Sequence, residues 1–287
     1  MQEFAKSAEN KDADINYPAL TAQYALLVQG SNGWKDYRHQ ADVLIIYQML
    51  KKKGYDDDHI ILILDEALAS DSKNPEPGVI RAEDGGENLM SGANIDYDNA
   101  TLTPADISNI LLGIKTDKTP VVLPKDAGQN VLLFWSGHGH NLDSNDADEL
   151  VWRDADIGQG MTAKRLYETV DQMQQQGHYR KMFVLTEPCF SEAVIRSLVG
   201  IKGVLGMSSA GAYEQSFADN WSSELGLWRC DRFSRNLVTH LTASSTTTYR
   251  DLYLYCAKHT MGSHVRIVNS ANFGNLYTTG PKEFFEK

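Results

Sequence analysis

Val131-Leu-Leu-Phe-Trp-Ser136-Gly137-His138-Gly139-His140 and Lys181-Met-Phe-Val-Leu-Thr-Glu187-Pro188-Cys189 are the two stretches that decide how this chain folds. Each is a short apolar run closed by turn-forming residues, the pattern of a strand buried within a mostly parallel sheet. Each carries a reactive side chain just past its C-terminal end, where open α/β sheets usually place their ligand crevice. Two such ends side by side would bring an imidazole and a thiol together from far apart in sequence. That pair is the minimum apparatus of a cysteine nucleophile.

Outward from these runs, the same alternation recurs. Gln23 to Gln29 reads as a first strand, and Gly30-Ser-Asn-Gly33 as the turn leaving it. A helix follows from about Arg38 to Lys53, with Ala41, Leu44, Tyr47 and Leu50 facing inward and Gly54 as its stop. His59 to Leu64 is a second strand. Asp65 to Thr101 is long, irregular and rich in Gly, Pro, Asn and Asp, as functional or mobile loops tend to be. Thr103-Pro104 reads as an N-cap followed by proline at the first helical position, opening a helix to about Leu112.

A helix from Thr162 to about Gln176 separates the two diagnostic strands, and Gly203 to Ser209 supplies another strand. Strand, helix, strand, helix in repetition predicts a parallel sheet covered on both faces. Past Ser209 the pattern weakens to helices near Arg232 to Leu241 and Thr248 to His259 and a strand at His264 to Asn269. No repeat or linker divides the chain. The reading is an N-terminal extension over residues 1–22 and a single domain over 23–287.

A length of 287 residues at 42% hydrophobic allows one large core. The formal net charge of -11 argues against a nucleic-acid partner, whose backbone calls for clustered Lys and Arg. No apolar run approaches the roughly 18 to 20 residues that span a bilayer. Met1 to Thr21 is polar and mixed in charge, so no secretory signal is read in the chain as given. Cys189, Cys230 and Cys256 do not make a disulfide framework, and Cys230 and Cys256 are expected as reduced, buried thiols.

Cys189 has odd company for a core cysteine. Proline ends ladder pairing, and glutamate is rarely buried unpaired. A helix start near Ser191-Glu192 would set a positive dipole end beside the thiol, which favours the thiolate. His138 lies between glycines, which let backbone approach a ligand and expose an amide for an oxyanion. A rival reading takes His138, His140 and Asp143 as metal ligands, since metal sites need converging imidazoles and carboxylates. It is disfavoured, because the spacing departs from known metal-hydrolase signatures and Ser144 stands where a histidine is needed. No metal or organic cofactor is expected.

Gly30-Ser-Asn-Gly-Trp-Lys-Asp36-Tyr-Arg38-His39-Gln-Ala-Asp42 closely resembles a signature of the legumain (asparaginyl endopeptidase) family. The related glycosylphosphatidylinositol transamidase catalytic subunit has a similar segment. The resemblance continues through Asn74-Pro75-Glu76-Pro77-Gly78, Leu102-Thr103-Pro104, Gly137-His138-Gly139 and Glu187-Pro188-Cys189, and runs roughly from Tyr24 to Tyr277. It implies an α/β fold of the caspase-like kind: a three-layer sandwich, mostly parallel sheet with helices on both faces.

The same resemblance implies roles. Cys189 would be the nucleophile, His138 the general base and acid, and the Gly139 and Cys189 amides the oxyanion hole. Asp36 stands where legumains have an asparagine that supports the histidine. Arg38, His39 and Glu187 would line the pocket that reads the residue before the scissile bond, with Ser208 and Ser209 on the substrate-binding strand. Leu227, in Leu225-Gly226-Leu227-Trp228, falls where the family has a second pocket acid, with Asp231 close by. The implied activity is cleavage of a peptide or protein substrate after Asn, secondarily Asp. The alternatives are a transamidase using the same acyl-enzyme, a metal-dependent hydrolase and a non-catalytic module. An extracytoplasmic location is implied by the family alone.

Overall fold

A computed structural model of the chain describes residues 15–141, 148–153, 159–244 and 246–287. Asp143 and Ser144 of the rival metal reading lie outside the described residues. Seven strands form the main sheet. Their chain order begins with β1 (Ala22–Gln29), β2 (Ile60–Leu64), β3 (Tyr97–Asp98) and β4 (Gln129–Ser136). After a small three-stranded sheet of β5 (Gly139–His140), β6 (Glu149–Leu150) and β7 (Met161–Thr162) come β8 (Lys181–Thr186) and β9 (Val204–Ser208). A hairpin of β10 (Ala218–Ser222) and β11 (Leu227–Asp231) precedes β12 (Arg266–Val268). The main sheet runs β12-β9-β8-β4-β1-β2-β3, parallel throughout except for β12.

Strand residues alternate between two apolar layers, because successive side chains point to opposite faces. Ala25, Leu27, Leu132, Phe134, Phe183 and Leu185 pack under α1 (Tyr37–Lys52) and, from further along the chain, the helices Arg232–Ala243, Tyr249–His259 and Lys282–Phe285. Leu26, Val28, Val131, Leu133, Met182 and Val184 pack on the other side against α2 (Pro104–Leu111), α3 (Ala163–Gln175) and α4 (Ser191–Ile195). The three-layer α/β sandwich is as expected. The three remaining helices are α5, α6 and α7 in chain order.

Most local expectations hold within a residue or two. Gly54 ends α1 at φ +100, which glycine adopts without strain. Thr103 and Asp106 form a full capping box at the start of α2. Two points differ. The stretch 65–101 is pinned rather than loose: the Asn74 amide donates to the carbonyls of Ala69 and Val79 at 2.8 and 3.0 Å, and the Tyr37 hydroxyl accepts from the Arg81 amide at 2.6 Å. The β10–β11 hairpin replaces an expected irregular stretch, and its register decides one site residue below. Residues of the N-terminal extension also bind the sheet, with the Pro18 carbonyl accepting from Arg180 Nε at 2.9 Å. Cys230 and Cys256 are separate free thiols, and burial pushes both well above the usual thiol range.

Candidate active site

Strands β1, β4 and β8 are neighbours, with Gln29 opposite Ser136 and Trp135 opposite Thr186. The chain therefore leaves all three at one end of the sheet, at Gly30, Gly137 and Glu187. Between β1 and β4 the strand order also reverses, which is where open α/β sheets bind ligands. Two glycines are needed to bring these ends together. A Cβ at Gly30 would lie 2.4 Å from Trp135 Nε1, and one at Gly139 would lie 2.0 Å from the Cys189 carbonyl oxygen.

Cys189 sits in a tight turn. Phe190 follows it at φ 58, and its amide donates to the Glu214 carbonyl at 2.9 Å before α4 begins. The partly exposed thiol lies 3.6 Å from Ser216 Oγ. Its own amide makes no hydrogen bond among the described residues, which leaves that donor for an oxyanion. His138 Nε2 is 3.0 Å from Asp36 Oδ1. Nδ1 of the same ring has no partner among the described residues and is the nitrogen left for proton transfer. No hydrogen bond joins the thiol to the ring; such bonds often tighten only once substrate binds.

Beside this pair, Arg38 Nε is 3.2 Å from Asp231 Oδ1, and the Arg38 guanidinium is 3.8 Å from Asp36 Oδ1. His39 Nε2 lies 3.7 Å from Asp231 Oδ2, and its Nδ1 is 2.6 Å from Ser31 Oγ. Burial first, then the charges of Arg38 and His138, hold His39 well below the ordinary imidazole range, so it is neutral. Its contact with Asp231 is therefore not an ion pair. Glu187 Oε2 accepts from the Ser234 amide at 2.8 Å and from the Ser234 hydroxyl, while Oε1 is buried without a partner. Burial and then the neighbouring Asp231 push the Glu187 carboxyl well above the usual carboxylate range, against the pull of Ser234 and Arg38.

Of the two residues weighed for the second acid position, Leu227 and Asp231, the fold brings Asp231 to Arg38. Leu227 is 7% exposed and packed in the apolar core, and the hairpin register carries Asp231 to Arg38 instead. Asp42 stands behind it: its Oδ1 accepts from the Asp231 amide at 2.8 Å and its Oδ2 from Ser136 Oγ at 2.9 Å. Burial and the charges of Asp231 and Glu187 push the Asp42 carboxyl up as well. Asp42 belongs to the quoted N-terminal signature, but nothing in sequence shows that it joins the pocket acid to the histidine-bearing strand. Ser234 carries no sequence signal at all.

Two expected side chains are turned away. Ser208 Oγ donates to the Ala210 carbonyl at 3.0 Å and Ser209 Oγ to the Glu187 carbonyl, and both residues are fully buried. The Ser209 hydroxyl thus braces the turn before Cys189, while that of Ser208 stays on its own stretch of chain. His140 Nδ1 lies 3.2 Å from Glu149 Oε1, so it turns to a different carboxylate from the one that holds His138. Among the described residues, the group gathered at metal-ligand distance includes His138 and not His140.

Asp36 touches His138 and not the thiol, so any part it has in turnover is expected to be one of positioning the ring. Asp36→Asn keeps an acceptor and should change kcat by at most about tenfold, ~1.4 kcal/mol, with KM little affected. Asp36→Ala removes the acceptor and should cost more. If both match the unsubstituted chain in kcat and pH profile, Asp36 is a turn residue only.

A thiol and an imidazole on neighbouring strand ends, with an amide free beside the thiol, define a cysteine-nucleophile enzyme. Residues 23–279 match the peptidase C13 family, and the chain belongs to that family. It is 30% identical over 236 residues to a putative GPI-anchor transamidase of Caenorhabditis elegans, covering 80% of this chain and 70% of that one. It is 28% identical to the legumain of Mus musculus, covering 84% and 55%, and 30% identical to the vacuolar-processing enzyme delta-isozyme of Arabidopsis thaliana, covering 86% and 54%. The chain thus spans about half the length of the latter two. A caspase-1 structure from Spodoptera frugiperda aligns at a TM-score of 0.47 and 10% identity over 89% of this chain and 88% of that one.

Proposed function

We propose that the chain hydrolyses peptide bonds after asparagine and, secondarily, aspartate. The observation that carries this reading is the pocket of Arg38, Asp231 and the unpartnered Glu187 Oε1, two residues before Cys189. Arg38 can donate to the side-chain carbonyl of asparagine, and Glu187 and Asp231 can accept from its amide. Cys189 Sγ attacks the scissile carbonyl, the Cys189 and Gly139 amides hold the oxyanion, and His138 protonates the leaving amine. Water then attacks the thioester, releasing the acid and the thiol. The likeness to a transamidase supports a second reading, in which an amine takes the place of water. Mass spectrometry of a peptide library digested with and without added amine distinguishes the two. No helix among the described residues is long and apolar enough to cross a membrane. The vacuolar name of one relative supports an extracytoplasmic site.

Protonation sets the balance between the two substrates. An aspartate side chain meets Glu187 and Asp231 as like charges unless one carboxyl carries a proton. Glu187 is held above the usual carboxylate range, so it gains that proton at a higher pH than an ordinary glutamate does. Cleavage after asparagine should therefore dominate near neutral pH, and cleavage after aspartate should rise as the pH falls. Arg38→Ala should lower kcat/KM for both by at least about a hundredfold, because the remaining buried acids would go unpaired. A cleavage profile dominated by lysine, arginine or large apolar residues would show the pocket assignment to be wrong.

A further inference from the structure

His138 belongs to a second constellation besides the one with Cys189. An oxygen of Asp36 and a nitrogen each of His39 and His138 all lie within 4.8 Å of one another. Asp36 Oδ1 is 3.0 Å from His138 Nε2 and 4.0 Å from His39 Nδ1, and the two rings meet edge to face at 4.9 Å between centroids. Tetrahedral zinc takes imidazole nitrogens at about 2.0–2.1 Å and carboxylate oxygens at about 2.0–2.2 Å, which sets ligand atoms roughly 3.3 Å apart. The His39 and His138 rings and the Asp36 carboxylate must therefore draw closer together when the ion binds.

Three further features suit a cation here. Asp36 Oδ2 is buried and accepts no hydrogen bond, in a side chain only 3% exposed. A buried carboxylate oxygen without a donor is uncommon and costly. His39 Nδ1 lies 2.6 Å from the Ser31 hydroxyl, which can turn away. Its Nε2 faces Asp231, the carboxylate–histidine–metal arrangement that orients a ligating ring. Arg38 Nη1, 3.8 Å from Asp36, is the opposing charge, and Asp231 offsets it at 3.2 Å from Nε of the same guanidinium. Imidazole ligands favour zinc over magnesium or calcium. The half-exposed His138 ring gives a path in from solvent.

We propose that Asp36, His39 and His138 form a zinc-binding site that overlaps the catalytic histidine and blocks turnover when filled. A zinc ion on His138 Nε2 would replace the Asp36 hydrogen bond and fix the ring as a ligand, leaving water in the fourth position. The inhibitory half rests on the peptidase reading, whereas binding itself does not.

The test titrates zinc into the chelator-stripped full chain, reading binding by competition with a chromophoric zinc indicator and turnover on an asparaginyl peptide. One zinc per chain should bind, with activity falling in step and returning on addition of chelator, while magnesium does neither. Cys189→Ala should bind zinc within about threefold of the unsubstituted chain, and Asp36→Asn and His39→Ala should each weaken binding at least tenfold. Asp36→Asn is isosteric, so its result stands even if His39→Ala fails to fold. Unchanged affinity in Asp36→Asn, binding lost in Cys189→Ala, or no binding at about 100 µM free zinc would each overturn the site. Binding as described in a chain that cleaves no peptide would instead overturn the peptidase reading and leave the site standing.

Discussion

Cys189→Ala should reduce peptide turnover by at least about 10⁴-fold while the far-UV spectrum and thermal midpoint stay near those of the unsubstituted chain. The expected loss is large because, in the proposed mechanism, the thiolate forms the covalent intermediate and no other group can take its place. The substitution is structurally mild: among the described residues the thiol hydrogen-bonds to Ser216, and the turn is held by backbone bonds from Phe190 and from Glu187. Iodoacetamide should mark Cys189 well ahead of Cys230 and Cys256, whose buried thiols are held protonated far above neutral pH. Turnover that survives the substitution, or labelling that favours either buried thiol, would remove Cys189 from the mechanism.

Gly139→Ala should be nearly as damaging, although it adds a single methyl group. The new carbon would lie 2.0 Å from the Cys189 carbonyl oxygen and 3.2 Å from the Cys189 carbonyl carbon. Both are backbone atoms, so no side chain can swing aside. Either β5 or the nucleophile turn must move, and a displacement of about 1 Å at a reacting centre costs on the order of a hundredfold. A fall in kcat/KM of at least about a hundredfold is expected, with most of the fold retained, because β5 belongs to the small outer sheet. Gly137→Ala, whose added carbon would meet Gly30 Cα at 3.2 Å, should cost less. Activity of Gly139→Ala within threefold of the unsubstituted chain would mean that the contact between β5 and the Cys189 turn does not constrain the site.

Local chemistry made much of this readable in advance. The apolar runs ending at Ser136 and Thr186 could only be buried strands, and parallel pairing then sets the ends that bear His138 and Cys189 side by side. Thr103 with Asp106, and Gly54 past α1, marked helix ends through bonds made within a few residues. The β10–β11 hairpin gave no such signal. Its first strand, Ala-Asp-Asn-Trp-Ser, is mostly half-exposed, and Asn220 takes φ 55 within it. Pairing with Leu227–Asp231 holds it in place where its own composition does not.

That hairpin also separates what the chain order determined from what only tertiary structure decided. Sequence sufficed for the fold class and for naming the thiol and imidazole as candidates, while Arg38 and Glu187 entered as pocket candidates only through the resemblance to a family. It did not suffice to choose Asp231 over Leu227, to turn Ser208 and Ser209 inward, or to set Asp42 and Ser234 behind the pocket. Those facts depend on the register of a hairpin, on α5 presenting Ser234 to Glu187, and on contacts between residues far apart in sequence, such as Asp42 and Asp231, 189 positions apart. Spacing along the chain sets periodicity and caps; proximity in the folded chain alone decides which carboxylates share a proton or a cation.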